Sequence, residues 1–199
     1  MTDTVALFIT WTTYGTWLPG DERGYVSDTL RPEGGFLPKQ NQFGTPYADG
    51  NAHTREQASE LQQWPTIWLT AAEALVVAHS LVRLATKRGW MILRAAIMSN
   101  HVHAVVINCP IDGPAVRRTL KGITQTDLSD SVGENRRWWT SGGSNRRRCG
   151  ERSISETVLY VANQHGKLAE VIDNVAVIPQ ESENERRGLS PPSPPGDEV

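Results

Sequence analysis

The sequence predicts an α+β fold, an antiparallel sheet with helices packed on it, from three observations. Two apolar runs, "WMILRAAIM" (90–98) and "HVHAVVIN" (101–108), are parted only by Ser99-Asn100. A link that short makes an antiparallel hairpin, and Asn tolerates the positive φ such turns use. Helical periodicity with start signals stands on either side of this hairpin, and a further strand-like run lies near the N-terminus.

The elements follow in order. "ALFITWTTYG" (6–15) is rich in β-branched and aromatic residues and reads as the first strand. From Trp17 to Pro65 the chain is studded with Gly, Pro, Asn and Asp, so a long insertion loop, about 27–65, is expected. Thr70 and Glu73 have the spacing of a capping box. The helix they open puts Leu75, Ala78, Val82 and Ala85 on one face and stops at Gly89. After the hairpin, Gly113-Pro114 starts a helix whose Val116, Leu120 and Ile123 turn inward. "RRWWTSGGSNRRRCG" (136–150) reads as a strand with a loop. Ser153 and Glu156 form a second capping-box pattern, opening a last helix to about His165, with Ile154, Val158, Val161 and Ala162 as its core stripe. A single domain over 1–175 and a disordered, acidic, Pro-rich tail over 176–199 complete the expectation.

No apolar run approaches the roughly 20 residues that span a bilayer. The opening "MTDTVALFIT" has no basic residue before its apolar stretch, unlike a signal peptide. Two cysteines, Cys109 and Cys149, are too few for a disulfide framework. A reduced, cytoplasmic protein with no membrane partner is the expectation. The net charge of −2 hides a regional split. Residues 136–152 hold six arginines against Glu151 alone, whereas residues 170–199 hold seven acids and two bases. Local charge decides whether a surface attracts a polyanion, although a run of arginines also suits a solvated loop.

In "SNHVHAVV" (99–106), strand alternation points His101 and His103 to one face, about 6.6 Å apart along the chain. That suits two ligands on one metal ion, and equally two satisfied polar residues on a sheet. Signatures of other His-x-His hydrolases fail: Val105 stands where a metallo-β-lactamase needs Asp and a histidine-triad protein needs His, and 106–109 lack the Glu of a cupin. In "ETVLYVANQHG", Tyr160 and Gln164 are four apart, one helical turn from each other at the edge of the core stripe.

"MSNHVHAVV" (98–106), "FITWTTYGTWLPGDERGYV" (8–26), "WWTSGGSNRR" (138–147) and "LYVANQ" (159–164) together resemble the single-strand DNA transposases of the IS-two-hundred type and the related REP-associated tyrosine transposases, of the HUH endonuclease superfamily. The motifs come in the family's order over most of 5–170; the 27–65 segment and the tail match nothing in it. The resemblance implies a ferredoxin-like sheet with the His-x-His motif on a central strand and the tyrosine on a C-terminal helix. It implies Tyr160 as nucleophile, and His101, His103 and Gln164 as ligands of a divalent metal ion, Mg²⁺ or Mn²⁺. It implies endonuclease and strand-transferase activity on single-stranded, hairpin-forming DNA through a 5′-phosphotyrosine intermediate. The family includes swapped dimers and monomers, so a homodimer and a monomer both stay open.

With that implication, Arg136, Arg137, Trp138, Arg146, Arg147 and Arg148, with Arg117 and Lys121 on the preceding helix, become candidate DNA contacts. Cations neutralise phosphates, and an aromatic stacked on an unpaired base contributes about 1–3 kcal/mol. Trp138 and Trp139 also suit the core. Two alternatives remain: an inactive nucleic-acid-binding module of the same fold, and a metal-dependent hydrolase that activates water at His101 and His103.

Overall fold

The computed structural model describes residues 4–21 and 50–179. The chain divides into two compact units, one of 1–13 with 68–199 and one of 14–67. The inserted one begins earlier than the 27–65 loop, at Tyr14, and contains a helix that the sequence reading lacked. This helix, α1 (Ala52–Glu60), is capped by Asn51, whose Oδ1 accepts from the Thr54 N–H at 2.9 Å. Within the same unit, the Tyr14 carbonyl accepts from the Ile67 N–H and the Tyr14 hydroxyl accepts from the Gln63 N–H. Gly20, at φ +86, lets the backbone run against Asn51, where a Cβ would lie 2.4 Å from the Asn51 carbonyl oxygen.

The larger unit is α+β. Its elements are β1 (Val5–Thr12), α2 (Ala71–Arg88), β2 (Met91–Met98), β3 (His101–Ile107), α3 (Gly113–Val132), β4 (Ser144–Cys149), α4 (Glu151–Ala162), β5 (Lys167–Ile172) and β6 (Val175–Val177). The strands form one antiparallel sheet in the order β4-β1-β3-β2-β5-β6. The expected hairpin joins β2 and β3. Neither Ser99 nor Asn100 has positive φ, however. Their carbonyls are instead tied down from outside, Ser99 by the Leu69 N–H and Asn100 by both the N–H and hydroxyl of Thr13.

Helices cover both faces. On β1, Ala6 and Phe8 join Ala96, Met98 and Val105 under Ile154 and Val161 of α4. Leu7, Ile9 and Trp11 alternate to the other face and are buried there. Asn145 pairs in register with Ile9 and accepts from Arg117 of α3, which places α3 on that second face. α3 packs against α2. Burial on both faces explains why β3 is almost continuously apolar rather than alternating.

The Thr70–Glu73 capping box forms as expected. The buried face of α2 is rotated from the expected one: Ala74, Val77, Ala78, Leu81 and Ala85 are buried, while Leu75 and Val82 are half-buried. On α3, Val116 and Leu120 are buried, continued by Thr124 and Leu128, with Ile123 at the margin. The second capping box does not form. α4 begins two residues before Ser153, with Gly150 as its N-cap at φ 78, and the Glu156 carboxylate pairs with Arg152 instead. The helix stops at Ala162, short of His165. The hairpin of β5 and β6 was not anticipated, and β6 crosses the expected boundary at 175; tail residues 180–199 lie outside the described residues.

That hairpin turns through Asp173 and Asn174, at φ 48 and 60. The Asn174 amide then bridges to β2, accepting from the Ile92 N–H at 2.8 Å and donating to the Trp90 carbonyl at 2.9 Å. Two net hydrogen bonds and a left-handed backbone make Asn174→Ala destabilising by about 3 kcal/mol in denaturant unfolding. Asn174→Gly is expected to recover about 1 kcal/mol of that, the share owed to backbone conformation alone.

Candidate metal and tyrosine site

The pleat of β3 sends His101 and His103 to the α4 face, where they pair across β1 with Thr12 and Thr10. Their rings stand edge to face with centroids 4.8 Å apart. Each Nδ1 meets an oxygen: Thr10 Oγ1 at 2.8 Å for His103, and the Asn100 side-chain oxygen at 2.6 Å for His101. The amide oxygen can only accept, so His101 donates to it from Nδ1. His103 Nδ1 is likewise hydrogen-bonded to the Thr10 hydroxyl, so both rings are oriented by an outer oxygen partner, as metal-binding histidines are.

His103 is 8% exposed and lies on the Phe8 ring, centroids 5.5 Å apart. Burial, with the charge of neighbouring His101 adding to it, pushes its pKa down to about 3. At neutral pH His103 is thus the neutral imidazole a cation requires.

α4 carries Tyr160 to this point. Ile154, Thr157 and Val161 form its buried stripe, and Tyr160 stands beside that stripe. Its ring lies 5.7 Å from that of His103 and 5.9 Å from that of Phe8, roughly perpendicular to both. Gln164 falls just past the helix end, but the turn continues through Asn163, whose N–H bonds to the Leu159 carbonyl. The Gln164 amide nitrogen donates to the Tyr160 carbonyl at 3.1 Å, which leaves Oε1 as its ligand-capable atom. One chain therefore brings His101, His103 and Tyr160 together, with Gln164 joined to Tyr160.

Among the described residues, no group of three or more His, Cys, Asp or Glu side chains could hold a metal ion. A cation at this point would have two imidazoles and an amide or phenol oxygen. Such donors fit an imidazole-binding divalent ion, Mn²⁺ better than Mg²⁺, which favours oxygen ligands throughout.

No family model, curated protein or solved structure matches the chain. The chemistry rests on the geometry and on the motifs.

The predicted DNA contacts divide between the two faces. Arg146 and Arg148 pair with Phe8 and Ala6 and so share the histidine face. Arg146 is exposed; Arg148 is 8% exposed, its guanidinium 6.0 Å from the Phe8 ring centre. Arg147 alternates to the opposite face, where it donates to the Ile111 carbonyl. Trp138 is fully buried, donates through its indole to Ser129, and has Arg136 4.0 Å over its ring. No ring face remains for a base, so Trp138 is a core residue. Arg136 also pairs with Glu73 and Glu134. Arg117 donates to Gly143 and Asn145, and Lys121 to the carbonyls of Thr140, Ser141 and Gly142. These two clasp the 140–145 loop from α3. Burial, with Arg117 and Arg137 close by, lowers the Lys121 pKa to about 8. Arg137 is exposed.

Phe8, Thr10 and Asn100 were not singled out from the sequence. Only Asn100, adjacent to His101, had a local signal.

His103 makes stability depend on pH with a definite sign. Its folded pKa lies below the unfolded value of 6.5, so the unfolded chain takes up a proton first. The stabilisation is complete above pH 6.5 and is lost as pH falls towards 3, at up to ~1.4 kcal/mol per pH unit. Urea unfolding of the metal-free protein at pH 7 and 5, compared with His103→Gln, isolates this slope, which the variant lacks.

Proposed function

We propose that the chain is a metal-dependent, single-stranded-DNA nicking and joining enzyme of the tyrosine transposase kind. The observation that carries the reading is the Tyr160 ring standing 5.7 Å from the His103 ring within one chain. A phenol beside a histidine pair has a direct use in phosphoryl transfer. The alternation β1-α2-β2-β3-α3-β4 with strand order β4-β1-β3-β2 supports a ferredoxin-like description, extended by β5 and β6. The basic histidine-side edge, Arg146 and Arg148, supports a polyanionic substrate.

The Tyr160 hydroxyl attacks the scissile phosphorus and loses its proton to solvent. The bond from phosphorus to the 3′ oxygen breaks, and that oxygen takes up a proton. The products are a 5′-phosphotyrosine and a free 3′-hydroxyl. Phosphodiester bond energy is conserved in the ester, so attack by another 3′-hydroxyl rejoins strands without ATP. His101, His103 and the Gln164 oxygen would hold a divalent cation, which would supply charge neutralisation at the phosphate. Thr10 and Asn100 hold the imidazoles; the exposed Arg146 binds a flanking phosphate. The reaction serves DNA transposition or processing of hairpin-forming repeats.

Incubation with a labelled, hairpin-bearing single strand and Mn²⁺ is expected to give a denaturation-resistant protein–DNA adduct. Tyr160→Phe abolishes it while binding persists, and His101→Ala or His103→Ala lowers its rate by about 100-fold or more. Cleavage that survives in Tyr160→Phe makes water the nucleophile. Binding with no adduct in the unmodified protein leaves a binding module.

A further inference from the structure

The turn from α4 into β5 buries charges that the reaction above does not use. Glu170 is 5% exposed on β5. It pairs in register with Ala96 of β2, and Ala96 pairs on its other side with His103. Glu170 and His103 therefore lie on one face of the sheet, two strands and on the order of 10 Å apart. The Glu170 carboxylate accepts from the Arg94 guanidinium and from the Lys167 ammonium, the latter at 2.9 Å. Lys167 also donates to the carbonyl of Ala162, the last residue of α4, at 2.6 Å.

The Ala162 carbonyl is one of those that a helix end leaves without an intrahelical partner, and a cation there is favoured by the helix dipole. It lies between Tyr160 and Gln164, on the same turn. A buried ion cluster is a poor source of stability compared with apolar packing of equal volume. What it provides is direction, because it ties one particular carbonyl to one particular strand.

We propose that Lys167, held in place by Glu170 and Arg94, is a positioning residue that fixes the last turn of α4 and thereby the aim of Tyr160 at the histidine pair. The proposal rests on the tyrosine reading above. Lys167 contacts neither substrate nor cation; it acts through the helix end.

Lys167→Met in the full chain tests it, since Glu170 keeps Arg94 as a partner and no buried charge is stranded. Single-turnover adduct formation is expected to slow by about 10–100-fold, the scale of a small misalignment of reacting groups, with affinity for the same hairpin strand unchanged within about twofold. Amide hydrogen exchange at 160–164 is expected to quicken by about tenfold or more while β3 stays protected. Lys167→Arg, which keeps the cation, restores both readouts to within about threefold of the unmodified protein. Exchange at 160–164 as slow in Lys167→Met as in the unmodified chain overturns the proposal. So does an adduct rate that falls only in step with affinity, or a Lys167→Arg variant that behaves like Lys167→Met. If the unmodified protein forms no adduct, the tyrosine reading fails, and the exchange measurement still decides whether Lys167 holds the turn.

Discussion

The seating of α4 on the sheet is the constraint on which the candidate site depends. Ile154 and Val161 pack on Ala6, Phe8, Ala96, Met98 and Val105, residues drawn from three strands. Phe8 is the pivot: one side of its environment is the His103 ring, the other the edge of Tyr160. The contact that stabilises the helix therefore also sets the distance between His103 and Tyr160. A Phe8 truncation would open a void beneath both rings at once, and large-to-small changes in such cores cost about 3–5 kcal/mol.

An imidazole buried this deeply needs a compensating arrangement. A hydrogen bond joins one ring nitrogen to the Thr10 hydroxyl, and burial keeps the ring neutral. The result is a basic nitrogen that does not compete for protons near pH 7. Solvation that a cation would lose at this point has to be replaced by ligands, and His101, less buried at the strand's end, gives the pair an open side. The Arg148 guanidinium lies 6.0 Å from the Phe8 ring centre and Arg146 is exposed, so positive charge borders the aromatic cluster.

Local patterns were legible in the sequence where the cause is local. A period of two puts His101 and His103 on one face whatever strand lies beside them, and the Thr70–Glu73 cap closes within one turn. Register is different. That Thr10 lies opposite His103, and Ala96 between His103 and Glu170, follows from pairing of distant segments that no short window contains. The β5 strand escaped because its inward charges, Lys167 and Glu170, break the apolar alternation that marks a strand; its turn, Asp173-Asn174, was a usable signal. Trp138 misled for another reason. An aromatic between arginines reads the same whether the arginine guards its buried ring or both face a nucleic acid, and only burial separates the two. The Ser153–Glu156 pattern failed because Gly150 at positive φ turns the chain out of β4 early enough for Glu151 to begin the helix.

The same-chain placement of Tyr160 bears on how many copies the proposed chemistry needs. Tyr160, His101, His103 and Gln164, to which the proposed chemistry assigns its roles, belong to one chain here. Exchanging α4 between two copies would require pulling Ile154 and Val161 out of the core, separating Lys167 from the Ala162 carbonyl, and re-forming both sets of contacts on the partner. Contacts identical before and after an exchange leave its equilibrium to the connecting segments. Those are short: Gly150 alone before the helix, and 163–166 after it. A one-residue link between β4 and α4 cannot span a gap to a second subunit unless the end of β4 also leaves the edge of the sheet. Because β4 supplies Arg146 and Arg148, an exchange would carry that basic edge along with Tyr160. The shortness of the link therefore favours α4 staying on its own sheet.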